Sequence, residues 1–345
     1  MKTILIVDDE PNNLQLLRMV LKGHYNLMFA NNGAKCLEIA EQRQPDLILL
    51  DVMMPDLTGY EVCQKLMKMP STKNIPVIFV TAMGEAKSEA KGFDVGAVDY
   101  ISKPISAAIV LRRVKTHLSL VRVKELEESR KSAIHMLGQA GHLNDTDTGV
   151  HIWRMAAYSK AIALATGWSS ARAERLELAE PMHDTGKIGI PDGLLKAQRK
   201  LTPEEWVIMK THPTIGYDIL SLSPSKIFKL AAEVSLYHHE RWDGSGYPDG
   251  LAGEEIPQSA RIVAIADVFD ALTMKRPYKE SWTIEESMLE LKKGSGSHFD
   301  PKLVEIFVGI SANIVLIKQH WDILKRFTDR TYNSFLELEV CCTLK

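Results

Sequence analysis

"LILLDVMMPDLTGYE", residues 47–61, opens with four consecutive apolar residues, closes that run on the carboxylate of Asp51, and continues into a Pro- and Gly-bearing turn. A short apolar run closed by turn residues reads as a strand. The rhythm recurs on both sides: "ILIV" (4–7), "VIFV" (77–80) and "DYI" (99–101) are further strands, and a weaker one, "YNLMFA" (25–30), precedes the turn "NNG". Amphipathic stretches fill the gaps. From residue 1 to about 118 this alternation predicts an α/β fold, a doubly wound, five-stranded parallel sheet with helices on both faces.

In such a sheet the residues just past the carboxyl ends of the strands converge on one crevice. Asp8 and Asp9 follow the first strand, Asp51 follows "LILL", Thr81 follows "VIFV" and Lys103 follows "DYIS". An isolated "DD" would read as a solvated loop. Three carboxylates in one crevice repel one another unless a cation binds, and all-oxygen ligation suits Mg²⁺. Asp51 can then attack a phosphoryl group while Mg²⁺ and Lys103 neutralise its oxygens.

The ordered set "VDDE", "LLDVMMPDLTGYE", "VTA" and "SKP" resembles the receiver domain of two-component response regulators over nearly all of residues 1–120. The resemblance implies a flavodoxin-like fold, phosphorylation of Asp51 by a cognate sensor histidine kinase, and Mg²⁺ held at Asp8, Asp9 and Asp51. It also implies that Thr81 and Lys103 contact the phosphoryl group and that Tyr100 reorients on activation. Nothing in the pattern departs from an active receiver.

After "SKP" the pattern turns helical. Leu111, Val114, Leu118 and Val121 keep three-four spacing, but the next seats fall on Glu125 and Glu128, so any coiled-coil seam is short. Residues 106 to about 141 read as a connecting helix. From about 142 onward there is no strand alternation, only helical stretches between Gly- and Pro-bearing loops, which predicts an all-α domain. The expected organisation is 1–120 receiver, 121–141 connecting helix, 142–310 helical output domain and 311–345 an extension of no assigned role.

The 345 residues, 45% of them hydrophobic, can build two cores. A formal net charge of -2 offers no broad basic surface for DNA or an anionic membrane. No segment approaches the ~20 apolar residues of a membrane span, and the first residues lack the form of a signal peptide, so a cytoplasmic protein is expected. Cys36, Cys63, Cys341 and Cys342 have neither the density nor the spacing of a disulfide framework or a zinc ribbon.

The second half concentrates imidazoles and carboxylates. His151, His183, His212, His238 and His239, with Asp147, Asp184 and Asp267, exceed what one metal needs. Mixed nitrogen and oxygen donors suit Fe, Mn, Zn or Ni, and an adjacent His-Asp can bind one ion by imidazole and bridge to a second by carboxylate. Two ions ~4 Å apart activate a water and clamp phosphoryl oxygens, which is phosphoester hydrolysis. Asp147 and His151 can share a helix face if a helix begins near Asp147. Asp267, inside "RIVAIADVFDAL", is expected to be buried, and Asp270 reads as either a surface charge or a partner to a ligand.

The segments "HDTGKIGIPDGLL", "LTPEEWVIMKTHPTIGYDIL", "YHHERWDGSGYPDGLAGEEIP", "RIVAIADVFDALTMKRPYKESW" and "GSHFDP" together resemble the HD-GYP phosphodiesterases, over about residues 140–308. The resemblance implies an HD-domain-type metallophosphohydrolase that cuts cyclic di-GMP to pGpG, with a further cut to GMP left open. It implies metal ligands at His183, Asp184, His212, His238, His239 and Asp267, with His151 and Asp147 as further candidates. Asp184 is expected to bridge and Lys187 to lie beside the scissile phosphate. Arg276 and Lys279 in "RPYK" are expected to hold substrate, and Tyr247 of the intact "GYP" to touch it.

One departure stands out. Many members carry glutamate where this chain has Asp147, one methylene shorter, so a two-metal site is expected. Phosphorylation of Asp51 is expected to act through dimer packing in the 106–141 helix, as a homodimer in the activated state. Two rival readings share these features: a non-catalytic regulator whose helical domain binds a nucleotide or partner, and a phosphodiesterase for another cyclic dinucleotide such as a mixed GMP-AMP ring.

Overall fold

A computed structural model describes residues 1–82, 92–141, 149–274 and 281–328. The chain divides into two compact units, Met1–Ser129 and Arg130–Lys345.

The first unit is built on five parallel strands, β1 (Thr3–Val7), β2 (Asn26–Ala30), β3 (Leu47–Asp51), β4 (Val77–Ala82) and β5 (Asp99–Lys103), in the order β2-β1-β3-β4-β5. Register runs Val7 beside Leu50, Asp51 beside Val80 and Thr81 beside Ser102. The helices between are α1 (Pro11–Leu21), α2 (Gly33–Arg43) and α3 (Gly59–Lys68). Successive side chains of a strand point to opposite faces, and the two cores divide accordingly. Ile4, Ile6, Leu47, Leu49, Ile78 and Val80 meet α1 on one face. Leu5, Val7, Ile48, Leu50, Val77 and Phe79 meet α2 and α3 on the other.

A helix of 35 residues, α4 (Ala107–Gly141), carries the chain onward. Its first turns are part of the sheet's packing rather than a plain connection. Val110, Val114 and Leu118 are buried with Ile4, Ile78 and Ile101, and Leu111 packs against the same cluster. Three of the four residues that suggested a short seam therefore face this core, because the helix after the last strand must cover the sheet. Large exposed apolar residues further along α4 are Leu120, Val123, Leu126 and Met136.

The second unit is helical among its described residues: α5 (Gly149–Ala165), α6 (Ser170–Ala179), α7 (Asp192–Leu195), α8 (Pro203–Met209), α9 (His212–Ser221), α10 (Lys226–Tyr237), α11 (Gln258–Thr273), α12 (Ile284–Lys293), α13 (Pro301–Gly309) and α14 (Ser311–Thr328). Tyr158, Ile162, Val234, Ile265, Phe269, Phe307 and Ile314 share its main core. A smaller cluster of Ile134, Ala179, Met182, Leu220 and Ala231 includes the end of the 3₁₀ turn Glu180–Met182, and the His-Asp pair joins that turn to a second one, Thr185–Gly189. No described helix is long and apolar enough to cross a membrane.

Candidate phosphoacceptor and metal sites

At the carboxyl ends of the strands, Asp8, Asp9 and Asp51 bring one carboxylate oxygen each within 4.8 Å of one another. Lys103 Nζ lies 3.0 Å from Asp8 Oδ2 and 2.9 Å from Asp51 Oδ1. Burial pushes the Asp51 carboxyl up, and Lys103 pulls it part of the way back. Burial also works against the Lys103 ammonium, but Asp51 and Asp8 outweigh it and hold its pKa above the ordinary value. Thr81 donates its hydroxyl hydrogen to the Ala82 carbonyl at 3.3 Å. The Tyr100 ring lies beside Phe93 and Arg113, the guanidinium 5.3 Å from its centroid. His117 lies 2.9 Å from Asp99, which also pairs with Arg113.

The centre of the second unit is Asp184. It caps the 3₁₀ turn Thr185–Gly189, which rests directly on the start of α9. Gly186 makes that approach possible: a Cβ there would fall 1.8 Å from the His212 carbonyl oxygen and 2.5 Å from the Gly216 nitrogen. His212 begins α9, and His238 and His239 follow the last turn of α10. Asp184, His212, His238 and His239 each offer a donor atom, all within 4.8 Å of one another.

Three histidines, His183, His212 and His238, are fixed in one orientation. Nδ1 of His183 bonds the Glu180 carbonyl at 3.0 Å, Nδ1 of His212 the Met209 carbonyl at 2.8 Å, and Nδ1 of His238 the Ser235 carbonyl at 2.9 Å. A carbonyl only accepts, so Nδ1 carries the proton, and in the neutral ring Nε2 keeps its lone pair. All three Nε2 atoms face one carboxylate. His183 Nε2 lies 3.2 Å from Asp184 Oδ2, while His212 and His238 Nε2 lie 3.4 and 3.7 Å from Oδ1. The buried Nε2 atoms of His212 and His238 find no hydrogen-bond partner among the described residues. Lone pairs converging on a carboxylate in a buried site are unfavourable unless a cation lies among them, so the donor set fits a borderline transition metal.

The electrostatics agree at Asp184, His238 and His239, whereas at His183 the neighbouring carboxylate favours the protonated ring. Burial would raise the Asp184 carboxyl, but Lys187 and His183 hold it well below the usual range. Burial lowers His238 and, with help from neighbouring imidazoles, lowers His239 further. Burial opposes protonation of His183, yet the adjacent Asp184 carboxylate prevails and raises it.

Lys187 Nζ lies 2.6 Å from Asp184 Oδ2. The Tyr247 ring stacks on His239, centroids 4.8 Å apart, with Lys210 Nζ 5.0 Å from its own centroid. The loop that presents Tyr247 is pinned by Glu240, whose Oε1 accepts from the backbone of Asp249 at 2.8 Å and Gly250 at 3.0 Å. Gly246 lets it fold back, since a Cβ there would meet the Arg241 nitrogen at 2.4 Å.

Asp267 departs from expectation: it is half-buried on α11 rather than buried, and it stands outside the four-residue group. Its negative charge reaches Tyr247 and His298. The helical period turns Asp270, three residues on, fully inward, where it binds Arg154 and the Nδ1 of His151. Asp270 is thus no surface charge. His151 is buried on α5 and also outside the group. Asp147, Arg276 and Lys279 lie outside the described residues, as do Cys341 and Cys342.

Three participants escaped the motif reading. Ser235, one turn before His238, donates its hydroxyl to the His183 carbonyl at 2.8 Å. Glu180 is fully buried, its Oε1 3.4 Å from His183 Nδ1. Arg154 is fully buried and its partners lie 116 and 168 residues away. Only the one-turn spacing of Ser235 and Glu180 from the histidines hints at them in the sequence.

Comparison with known proteins gives two matched regions: a response regulator receiver domain over residues 4–115 and an HD domain over residues 121–303. A probable cyclic di-GMP phosphodiesterase of Vibrio cholerae is 37% identical over 95% of this chain and 80% of its own. The cyclic di-GMP phosphodiesterase response regulator RpfG of Xanthomonas campestris pv. campestris is 36% identical over 88% of this chain and 86% of its own. A 3'3'-cGAMP-specific phosphodiesterase of V. cholerae is 42% identical over 57% of this chain and 36% of its own.

Proposed function

The chain belongs to the response regulators that join a receiver domain to an HD domain, and from that premise we propose that it is a metal-dependent phosphodiesterase that hydrolyses cyclic di-GMP to pGpG under the control of Asp51. The observation that carries the reading is the convergence of three Nδ1-anchored histidines on the two oxygens of Asp184. Oδ2 faces His183 and Oδ1 faces His212 and His238, so both oxygens of Asp184 would be available to metal held by these histidines.

His183, Asp184, His212, His238, His239 and Asp267 would hold two divalent transition metals, Fe, Mn, Zn or Ni, with His151 as a further ligand. When bound, the metals polarise phosphoryl oxygens and acidify a water. The chain's own residues do the rest. The backbone carbonyls hold the imidazoles in the tautomer that donates through Nε2. Lys187, partly exposed and fixed by Asp184, sets its ammonium where a non-bridging oxygen gains charge in the transition state. Tyr247, anchored on His239, offers an aromatic face to the nucleotide.

In the receiver, Asp51 is the phosphoacceptor for a sensor histidine kinase, Asp8, Asp9 and Asp51 hold Mg²⁺, and Thr81, Tyr100 and Lys103 respond to the phosphoryl group. The activated chain acts as a homodimer.

The 42% identity to a 3'3'-cGAMP-specific enzyme supports a second substrate reading. Purified protein given Mn²⁺ or Fe²⁺ and equimolar cyclic di-GMP and 3'3'-cGAMP decides between them by chromatography. Release of pGpG ahead of the mixed linear dinucleotide is expected. Preferential loss of the mixed ring would move the substrate assignment, and binding of either ring without cleavage would make the chain a non-catalytic regulator.

A further inference from the structure

The last described helix, α14, lies beyond residues 121–303, the part matched by the HD domain. It nonetheless reaches the buried Arg154–Asp270 pair of the second unit. Arg154, whose side chain is fully buried, spans two carboxylates. Its Nε and Nη2 grip Asp270 Oδ1 at 2.5 Å and Oδ2 at 2.8 Å, and its Nη1 grips Asp322 Oδ1 of α14 at 2.9 Å. Asp270 Oδ2 in turn binds the Nδ1 of His151.

A carboxylate can only accept from that ring nitrogen, so Nδ1 carries the proton and Nε2 keeps the lone pair that a metal ligand needs. The orientation of His151 depends on Asp270, and Asp270 is bound along the whole edge of a planar fork. That fork would be left with an unpaired buried donor, and freedom to tilt, without Asp322 on its far side.

We propose that Asp322 is a positioning residue for the metal centre, acting through Arg154 and Asp270 on His151. Lys318, one turn away and 2.7 Å from Asp322, pairs with the same carboxylate. The inference rests on His151 being a metal ligand, and the experiment separates the two.

Full-length wild type, Asp322→Ala, Asp322→Asn and His151→Ala are loaded anaerobically with Mn²⁺ and dialysed against graded chelator. Retained metal is measured by mass spectrometry and folding by circular dichroism at the dialysis temperature. Loss of an outer partner of a metal-bound histidine costs roughly 10–100-fold in metal affinity, so Asp322→Ala is expected to weaken retention about tenfold. Asp322→Asn, which keeps an acceptor oxygen for Arg154, is expected to weaken it less, and it carries the test if the alanine variant does not fold. Wild-type retention in both Asp322 variants, with loss in His151→Ala, overturns the positioning role and leaves the ligand reading standing. Wild-type retention in His151→Ala overturns both.

Discussion

Oδ1 of Asp184 stands 3.4 Å from Nε2 of His212, and with His212 Nδ1 donating to the Met209 carbonyl the neutral ring turns a lone pair toward the carboxylate. Two acceptors face each other in a buried site, which is the arrangement a cation resolves. Asp184→Asn removes the charge and leaves the shape nearly unchanged. It is expected to lower metal retention by more than the ~10–100-fold of an outer-shell change. Metal content after chelator dialysis measures this, and retention equal to wild type would count against Asp184 as a ligand.

Gly186 sets how closely the 3₁₀ turn approaches α9. Gly186→Ala places a methyl group against the His212 carbonyl, where a Cβ has only 1.8 Å. Overpacking a tight contact costs about 1–3 kcal/mol, and backbone on the far side of the clash puts this site at the upper end. Denaturant unfolding followed in the second unit measures the loss. A variant as stable as wild type would mean that the turn and α9 have room to part.

Lys103 is the cation shared by Asp8 and Asp51. Lys103→Met leaves the carboxylates of Asp8, Asp9 and Asp51 facing one another, and the first unit is expected to lose about 2 kcal/mol at neutral pH. Millimolar Mg²⁺ should restore most of that, and so should a lower pH, since protonating one carboxylate removes the repulsion. Thermal melts with and without Mg²⁺ check both. A loss indifferent to Mg²⁺ would remove the acidic cluster as a cation site.

His298 is held neutral by burial, its pKa lowered to about 4. In the unfolded chain the imidazole has its ordinary value, so between that value and about 4 the unfolded state binds more protons. The contribution of His298 is therefore fully present above about pH 6.5 and is lost as pH falls toward 4. Stability of the second unit measured from pH 7.5 to 4.5 should fall less steeply in His298→Gln than in wild type. Identical slopes would contradict the assignment.

The residues that were legible in the sequence are those whose neighbours in the chain explain them. The run Leu47–Leu50 is apolar on both faces because both faces are covered, and the strand reads at once. β2 is an edge strand, with Asn26 and Phe29 exposed, so its signal is weaker. The His183-Asp184 and His238-His239 pairs announce donors by type and spacing. Arg154 announces nothing, since "HIWRMAAY" has no pattern that distinguishes a buried cation from a surface one. Its role is fixed by Asp270 and Asp322, which only the packing of α5, α11 and α14 brings together. Gly186 and Ser235 are likewise defined by what lies across the contact.

The most direct test of the account is turnover of cyclic di-GMP by the full-length chain stripped of metal and titrated with Mn²⁺, with the His183→Ala, Asp184→Ala double variant alongside. No pGpG is expected without metal, pGpG that rises with added Mn²⁺ is expected in the wild type, and none at any Mn²⁺ concentration in the double variant. Metal-independent release of pGpG, or wild-type turnover by the double variant, would contradict it.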